Sequence, residues 1–238
     1  MAANHIGCSD DISSRSLALL RTADLVVFEE DRPARAALKL AGIHRDYLKF
    51  NEHHQKDSLD EIQSALSQGK TVIYMSDQGC PTLEDPGKEL NKLAFSMNSE
   101  LKVIPGPSSL TAALSAAPFE AKRIHFLGFA PRETAKRLLF FKEHLDESAA
   151  CALMDTPYRL RALVSSLDEY CPTRKALLAI DISGENERYL YGTISKILKE
   201  LPSEKLNFVL VLEPTKKTPT NPSDQKNKRN FVKRSVYG

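Results

Sequence analysis

The stretch Ser76-Asp77-Gln78-Gly79-Cys80-Pro81-Thr82-Leu83-Glu84-Asp85-Pro86-Gly87 lies between two segments of different periodicity. It follows an apolar, β-branched run at 71–75, which predicts a strand, and it precedes a helical pattern at 88–97. Open α/β sheets hold their ligands at the carboxyl ends of their strands, so this stretch occupies a ligand-binding position. Its two glycines and two prolines are typical of tight turns that expose the backbone.

A second loop, Val103-Ile104-Pro105-Gly106-Pro107-Ser108-Ser109, repeats the arrangement of strand, Pro/Gly turn and helix start. Two such loops indicate a pocket, although strand–turn–helix joints also serve as plain connections in α/β proteins. The ten glycines stand singly, and neither G-x-G-x-x-G nor G-x-x-x-x-G-K-[ST] occurs. An ordinary dinucleotide-binding domain and a P-loop NTPase are therefore disfavoured, and the pocket has to be built from the Pro-Gly turns.

Composition indicates an ordinary globular protein. The 238 residues are 42% hydrophobic and 27% charged, enough for one large domain or two ordinary ones. No apolar run approaches the roughly 18 residues of a membrane span, and the first residues do not read as a signal peptide. The four scattered cysteines show neither C-x-x-C nor zinc spacing, so we expect reduced thiols and a cytoplasmic protein.

Charge is distributed unevenly along the chain. The segment from Thr215 to Gly238 holds seven Lys/Arg and one Asp, a charge of +6, which leaves −4 on the rest because the whole chain carries +2. This basic tail is either an electrostatic arm for RNA phosphates or a solubilising terminus. Truncation after Pro214 separates the two, since only an arm would change the salt dependence of RNA affinity.

Strand-like runs alternate with amphipathic helical runs, which predicts an α/β fold of two domains. We expect a parallel sheet in an N-terminal domain at 1–118, a mixed sheet in a C-terminal domain at 119–214, and a flexible basic tail at 215–238. The mixed sheet follows from a hairpin-like turn at Ser183–Asn186. Ser58 and Glu61 form a capping box that predicts a helix start. Further predictions are a strand at Leu101–Ile104 and a helix at Tyr158–Tyr170.

Several ordered motifs between Ile6 and about Glu213 resemble the tetrapyrrole methylase superfamily. Within it, the chain is most similar to the branch of ribosomal-RNA small-subunit methyltransferases that methylate a ribose 2′-hydroxyl. The matching residues are Ile6-Gly7, Asp11-Ile12-Ser13 with Arg15, Glu29-Glu30-Asp31-Arg32, Asn51-Glu52-His53, Ser76 to Gly87, Pro105-Gly106-Pro107-Ser108, Gly128-Phe129 with Pro131-Arg132, and Thr156-Pro157-Tyr158-Arg159.

The resemblance implies a two-domain methyltransferase, usually a homodimer, that binds S-adenosylmethionine in a cleft between its domains. It also implies which residues contact that cofactor. Carried over to this chain, these are Asp77, Gly79, Cys80, Ser109, Met154, Ile180 and Asp181. Backbone groups would bind the adenine and the amino-acid moiety while apolar edges pack the ring.

The chain departs from the family pattern at four places. The usual Glu-Asp-x-Arg is Glu29-Glu30-Asp31-Arg32, a conservative change. Only Met1–His5 precede Ile6-Gly7, so we expect the first strand to be shortened or lost. The usual Glu-x-Pro-His-Arg is Asp155-Thr156-Pro157-Tyr158-Arg159. The usual Ala-Arg-Glu-Leu-Thr is Ala179-Ile180-Asp181-Ile182-Ser183, which loses an Arg and a Glu.

Methyl transfer from a sulfonium is an in-line displacement that depends on alignment and on exclusion of water. A ribose hydroxyl must also lose its proton, for which Glu52, His53 and Asp77 are candidate acceptors. Arg32 is a candidate phosphate ligand. Asp77 also suits a turn-stabilising role. No metal is expected from His53 and His54, because adjacent histidines rarely share one ion.

Two surface features have alternative interpretations. Arg132, Lys136 and Arg137 either line an RNA path or form a solvated helix start. The acids at Glu29–Asp31 suit the first turn of the helix that follows them.

Three functions remain open from the sequence. The first is methylation of a ribose in small-subunit ribosomal RNA by S-adenosylmethionine. The second is methylation of a tetrapyrrole or another small molecule, which the acidic body favours. The third is a catalytically weak cofactor-binding homologue, which the shortened first strand and the lost Arg-Glu pair favour.

Overall fold

The structure is a computed structural model that describes residues 1–51 and 55–215. Glu52, His53 and the basic tail beyond Thr215 therefore lie outside the described residues. The chain forms two compact units. The first comprises Met1–Ala116, Ala179–Tyr189 and Leu206–Val209, and the second comprises Ala117–Leu178, Leu190–Lys205 and the segment from Leu210 onward.

Strands and helices alternate along most of the described chain. The strands are β1 (Leu25–Phe28), β2 (Leu48–Lys49), β3 (Val72–Met75), β4 (Ile124–Phe129), β5 (Ala150–Asp155), β6 (Lys175–Ile180), β7 (Arg188–Thr193) and β8 (Phe208–Leu212). The helices are α1 (Ser14–Thr22), α2 (Asp31–Leu40), α3 (Gln55–Ser67), α4 (Gly87–Ser96), α5 (Ser109–Ser115), α6 (Thr134–His144), α7 (Leu160–Tyr170) and α8 (Ile194–Glu200). The alternation breaks where α5 follows α4 and where β7 follows β6. Short 3-10 helices lie at Ser9–Asp11 and Pro157–Arg159. Within the described ranges, no helix has both the length and the apolar character that crossing a bilayer requires.

The first sheet is parallel, with strand order β2-β1-β3. Its side chains alternate between two cores, as the period of two in a strand requires. Val26 and Phe28 pack into a core shared with α1 and α2. Val27 and Tyr74 face the other core, which includes Phe50 and residues of α3 and α4. Burial on both faces explains why β1 and β3 are continuous apolar runs.

The chain before Ile6 forms isolated bridges instead of a full strand. Ala2 makes parallel bridges to both Met75 and Ile104. Its N–H donates to the Tyr74 carbonyl over 2.9 Å, and the Ile104 N–H donates to the Met1 carbonyl over 2.8 Å. The expected shortening of the first strand is therefore observed.

The second sheet has the strand order β4-β5-β8-β6-β7. All five residues of the central strand β8 are buried, whereas the edge strand β7 alternates between partly buried and exposed residues. β4 and β5 run parallel, and Phe129 is paired with Met154 at their carboxyl ends. The α/β fold class with a parallel and a mixed sheet, predicted from the sequence, is confirmed.

Three local predictions are wrong. The strand at Leu101–Ile104 is reduced to the bridge at Ile104, because the segment before Ile6 pairs with it through Ala2 as an isolated bridge. The capping box at Ser58 does not start a helix, since α3 begins at Gln55 and the Ser58 hydroxyl donates instead to the Lys49 carbonyl over 2.6 Å. The helix predicted from Tyr158 begins at Leu160, after the 3-10 turn that holds Pro157.

The central position of β8 yields a stability prediction. Truncating the fully buried Leu210 to Ala should lower the free energy of unfolding by about 2 to 5 kcal/mol, because a cavity forms in a packed core. Urea denaturation measures the difference. The control is Leu139→Ala on α6, where the side chain is 52% exposed and a change within about 0.5 kcal/mol is expected. Equal losses in the two variants would contradict this account of the sheet.

Candidate active site

The loop after β3 is held by the residues that precede Ile6. Gly79 has a φ of +69°, in the left-handed region that glycine adopts without strain. Its N–H donates to the His5 carbonyl over 3.3 Å, and its carbonyl accepts the Asn4 N–H over 2.9 Å. The buried Asn4 side chain donates to the carbonyls of Ser76 and Asp77 over 3.3 and 3.0 Å. Both backbone and side chain therefore fix this turn.

The second Pro-Gly loop packs directly against the first. A Cβ at Gly79 would lie 3.2 Å from the Pro107 carbonyl oxygen and 3.2 Å from Cγ2 of Ile6. A Cβ at Gly106 would lie only 2.6 Å from the Cβ of Ala3. The Cys80 thiol lies 3.6 Å from the Gly106 carbonyl oxygen, at weak hydrogen-bond distance. A Cβ at 106 would clash with Ala3, whereas at 79 glycine is favoured because φ is positive and an added Cβ would press on Ile6 and Pro107.

Ser109 begins α5 immediately after this loop. The hydroxyl of the preceding residue, Ser108, caps the helix by accepting the Thr111 N–H over 3.5 Å. The start of α5 therefore lies only three residues after Gly106 in the chain.

The chain after β6 belongs to the same unit and meets the turn at Gly7. A Cβ at Gly7 would lie 2.5 Å from the Ser183 carbonyl carbon, and the Cys8 N–H donates to the Ser183 hydroxyl over 3.0 Å. Ile180 is fully buried. Asp181 has a φ of +49°, and its carboxylate accepts the Asn186 N–H over 3.0 Å. Its carboxylate thus stabilises a turn in this structure.

A link also runs from this region to the loop after β3. The Asp181 N–H donates to the Asn207 carbonyl over 2.8 Å, and the Asn207 side chain donates to Gln78 Oε1 over 3.3 Å. The first unit thus brings together six of the seven residues carried over as cofactor contacts: Asp77, Gly79, Cys80, Ser109, Ile180 and Asp181. Met154 belongs to the second unit, where it is partly buried near the end of β5.

Carboxyl groups gather where β1 and β3 end. The Asp77 N–H donates to Glu29 Oε2 over 3.4 Å, and the Glu30 N–H donates to Asp77 Oδ1 over 3.2 Å. Burial, followed by repulsion from Asp77, raises the pKa of Glu29 to about 7. Burial also raises the pKa of Asp77, against the opposing effect of the Glu30 N–H. A carboxyl group whose pKa lies near neutrality can exchange protons at physiological pH.

Asp85 stabilises the second half of the same loop. Its two oxygens accept the N–H groups of Thr82 and Gly87 over 2.6 and 2.7 Å, and the Tyr74 hydroxyl lies 3.4 Å from Oδ1. Burial raises the pKa of the Asp85 carboxyl despite these hydrogen bonds, and burial together with Asp85 raises that of Tyr74. Thr82 has a φ of +83°, a strained conformation that these bonds help to hold.

Of the three predicted catalytic residues, Arg32 lies within the described part of the chain, and Glu52 and His53 lie outside it. Arg32 is exposed in the first turn of α2. Glu52 and His53 directly follow Asn51, the last described residue before the gap, whose side chain donates to Glu30 Oε1 over 3.0 Å. Asp31 accepts from the Tyr47 hydroxyl over 2.8 Å and from the Lys49 ammonium over 3.1 Å. Of the acids Glu29–Asp31, only Asp31 lies in the first turn of α2. Glu30 is the N-cap residue, and its side chain makes no capping hydrogen bond.

Sequence reasoning missed Glu29 as part of the site. A signal was available, because Glu29 directly follows β1 as Ser76 follows β3, and parallel strands end at the same edge of a sheet. Asn4 was also missed. No motif marks it, and its role depends on contacts with residues more than 70 positions away.

Arg137 was placed on an exposed surface by the sequence, and this is wrong. Its guanidinium is buried and donates to Ser166 Oγ over 2.9 Å and to the carbonyls of Pro131 and Arg132 over 3.1 and 2.8 Å. Burial lowers its pKa, and the nearby Arg159 lowers it further. Arg137 therefore supports a loop of the second unit, while Arg132 and Lys136 remain exposed.

Comparisons with known proteins identify the family. The model described as Tetrapyrrole (Corrin/Porphyrin) Methylases matches residues 6–198. A protein of Neisseria meningitidis serogroup B named "Ribosomal RNA small subunit methyltransferase I" is 31% identical over 90% of this chain and 75% of its own length. The protein of that name from Thermotoga maritima is 30% identical over 84% of this chain and 90% of its own length.

Solved structures share the fold at low sequence identity. Diphthine synthase superposes with a TM-score of 0.69 at 15% identity, covering 88% of this chain and 87% of that one. The uroporphyrin-III-C-methyltransferase of Thermus thermophilus superposes with a TM-score of 0.61 at 19% identity, covering 89% and 92%. At such identities these structures support the fold alone. The family match over residues 6–198 and the relatives at 30% identity or more show that this chain belongs to the tetrapyrrole methylase family and is a methyltransferase.

Proposed function

We propose that this chain transfers a methyl group from S-adenosylmethionine to a ribose 2′-hydroxyl of small-subunit ribosomal RNA, acting as a homodimer in the cytoplasm. The observation that carries this proposal is the similarity to relatives named for small-subunit ribosomal RNA. One of them, from Leptospira borgpetersenii, is 30% identical over 96% of this chain. The likeness extends over both compact units, so it includes the regions that would bind cofactor and substrate.

The loops of the first unit fit the proposed cofactor. Gly79 and Gly106 lie where the two turns and the chain before Ile6 approach closely, and a Cβ at either position would press on a neighbouring residue. Such bared backbone can bind the polar groups of a nucleoside and an amino acid. We assign this role to Asp77, Gly79, Cys80, Ser109, Ile180 and Asp181. Met154 keeps the cofactor role that the family resemblance implies. The cofactor supplies an electrophilic methyl group on its sulfonium.

Proton removal from the ribose hydroxyl needs a base near neutral pH. Glu52, His53 and Asp77 were the candidates from the sequence, and we add Glu29. Its carboxylate is half-buried, receives a hydrogen bond from the Asp77 N–H, and has a pKa of about 7. The exposed guanidinium of Arg32, three residues further along, is suited to bind an RNA phosphate bidentately.

A tetrapyrrole or another small molecule is the second candidate substrate. The description of the family and the −4 charge of the body before Thr215 favour it. A cofactor-binding protein with little activity is the third candidate.

Ribose-methylation mapping in a deletion strain tests the three candidates. We expect one 2′-O-methyl group to disappear from small-subunit ribosomal RNA and to return when this chain is expressed. An unchanged ribosomal RNA would overturn the proposed substrate. Incubation with tritiated S-adenosylmethionine then separates a small-molecule methyltransferase from a weak homologue, since only the former labels a cell extract freed of RNA.

A glycine pair tests the cofactor site. Gly79→Ala should weaken S-adenosylmethionine binding at least tenfold, because the new methyl group would press on Ile6 and Pro107 within the loop that binds it. The control is Gly42→Ala, where φ is +68° but no atom lies within 4 Å of the added Cβ. Both variants carry similar backbone strain, so calorimetric titration isolates the contact. Equal affinities in the two variants would contradict the assignment.

The pKa of Glu29 predicts a pH profile. A base must be deprotonated to act, so kcat/KM should rise with pH and level off above about 7. Glu29→Gln should remove this acidic limb and reduce kcat by roughly 10²- to 10⁴-fold, with cofactor affinity retained. Glu30→Gln, which changes the adjacent exposed carboxylate, should keep the limb. A Glu29→Gln enzyme with an unaltered profile would exclude Glu29 as the base.

A further inference from the structure

Tyr158 is the most exposed of the large apolar side chains in the described part of the chain. Its relative exposure is 75%. Burying an aromatic ring is worth more than burying most side chains, so a ring that is left in water can contribute to binding a ligand that covers it. The ring lies in the 3-10 turn Pro157–Arg159, directly after the carboxyl end of β5.

The backbone that presents Tyr158 is held by a buried ion pair. Arg159 Nη1 lies 3.0 Å from Asp155 Oδ1, and the same oxygen accepts the Thr156 N–H over 2.8 Å. Arg159 Nη2 donates to the carbonyls of Ala130 and Pro131 over 2.6 and 2.9 Å. The turn of Tyr158 is therefore tied to the loop after β4. Little conformational entropy would be lost when a ligand contacts the ring.

The loop after β4 presents a cation and a second aromatic ring beside this turn. The buried Arg137 holds the backbone of this loop by donating to the Pro131 and Arg132 carbonyls, while the Arg132 side chain stays exposed. Phe129, at the end of β4, is 43% exposed and is paired with Met154 of β5. Phe129 and Tyr158 thus both lie near the carboxyl ends of the neighbouring strands β4 and β5.

A cation lies over the Tyr158 ring. Lys205 Nζ lies 4.5 Å from the ring centroid, within cation–π distance, and covers one face. The high exposure of the ring leaves its other face open to a ligand. Arg161, three residues after Tyr158, is also exposed. Glu133 Oε2 lies 2.8 Å from Lys136 Nζ. Arg132, Arg161 and Lys205 each add a positive charge to the patch.

We propose that the open face of Tyr158 stacks on an unpaired base of the RNA substrate, while Arg132, Arg161 and Lys205 bind flanking phosphates. This inference rests on the proposed function and adds the way the substrate is recognised. RNA bases that are splayed out of a helix are bound by stacking on aromatic rings, and their phosphates by Lys and Arg. A peptide or a membrane would favour a broad apolar patch, whereas here single rings stand among cations.

Binding of a single-stranded RNA 16-mer of mixed sequence that contains 2-aminopurine tests the proposal. Tyr158→Ala should weaken binding by roughly 5- to 100-fold and abolish the fluorescence quenching that accompanies stacking. Tyr158→Trp should retain both. The matched control is Phe95→Ala on α4 of the first unit, where a ring is removed that is 70% exposed. S-adenosylmethionine affinity should be unchanged in all three variants and shows that each is folded.

Salt dependence separates the ring from the cations. Arg132→Ala and Arg161→Ala should each reduce the slope of log affinity against log salt by roughly 0.7, as expected for one phosphate contact to a single strand. Tyr158→Ala should leave the slope unchanged, because stacking releases no counterions.

Two results would overturn the proposal, with different consequences. If Tyr158→Ala binds and quenches like the unaltered protein, the stacking role is wrong, and the proposed function stands as long as that protein methylates small-subunit ribosomal RNA. If the unaltered protein neither binds the RNA nor methylates ribosomal RNA, the proposed function and the stacking role both fail.

Discussion

The constraint on which the first unit depends is the double backbone tie of Gly79 to Asn4 and His5. It holds the turn after β3 against the chain before Ile6, and that chain in turn meets three other segments. Ala3 packs against Gly106, Ile6 packs against Gly79, and Gly7 packs against the backbone of Ser183. Because these contacts leave little or no room for a side chain, the loops have little freedom of placement. A site built mainly of backbone groups requires such rigidity, since its donors and acceptors cannot reorient as side chains do.

Carboxyl groups impose a second constraint at the same edge of the sheet. Glu29 and Asp77 approach each other because β1 and β3 are parallel neighbours that end in register. Burial raises the pKa of both carboxyls, and repulsion from Asp77 raises that of Glu29 further. The arrangement costs stability as pH rises, since the folded state holds the Glu29 proton up to about pH 7. Carboxyl groups with raised pKa values that lower stability are concentrated at functional sites, which supports a chemical role for Glu29 and Asp77.

In the second unit, buried charged groups hold the backbone of two loops. The Asp155 carboxylate pairs with Arg159 and accepts the Thr156 N–H. Arg159 and Arg137 donate to carbonyls at 130–132. Buried ion pairs seldom add much net stability, but they specify one geometry among many. Here the geometry leaves Tyr158 and Arg132 exposed while their backbones are held. The site chemistry of the first unit and the surface of the second thus both depend on polar groups that are removed from solvent.

Much of the fold follows from the sequence alone. Apolar runs such as Leu25–Phe28 and Phe208–Leu212 coincide with observed strands, because continuous burial of a strand leaves a continuous apolar pattern. The Pro-Gly loops and their ordered motifs identify the family and six residues that the first unit brings together. Only the tertiary structure decided that Glu29 meets Asp77, that Arg137 is buried and that Tyr158 is exposed. Glu29 and Asp77 are 48 positions apart, and local periodicity carries no record of contacts over such a separation.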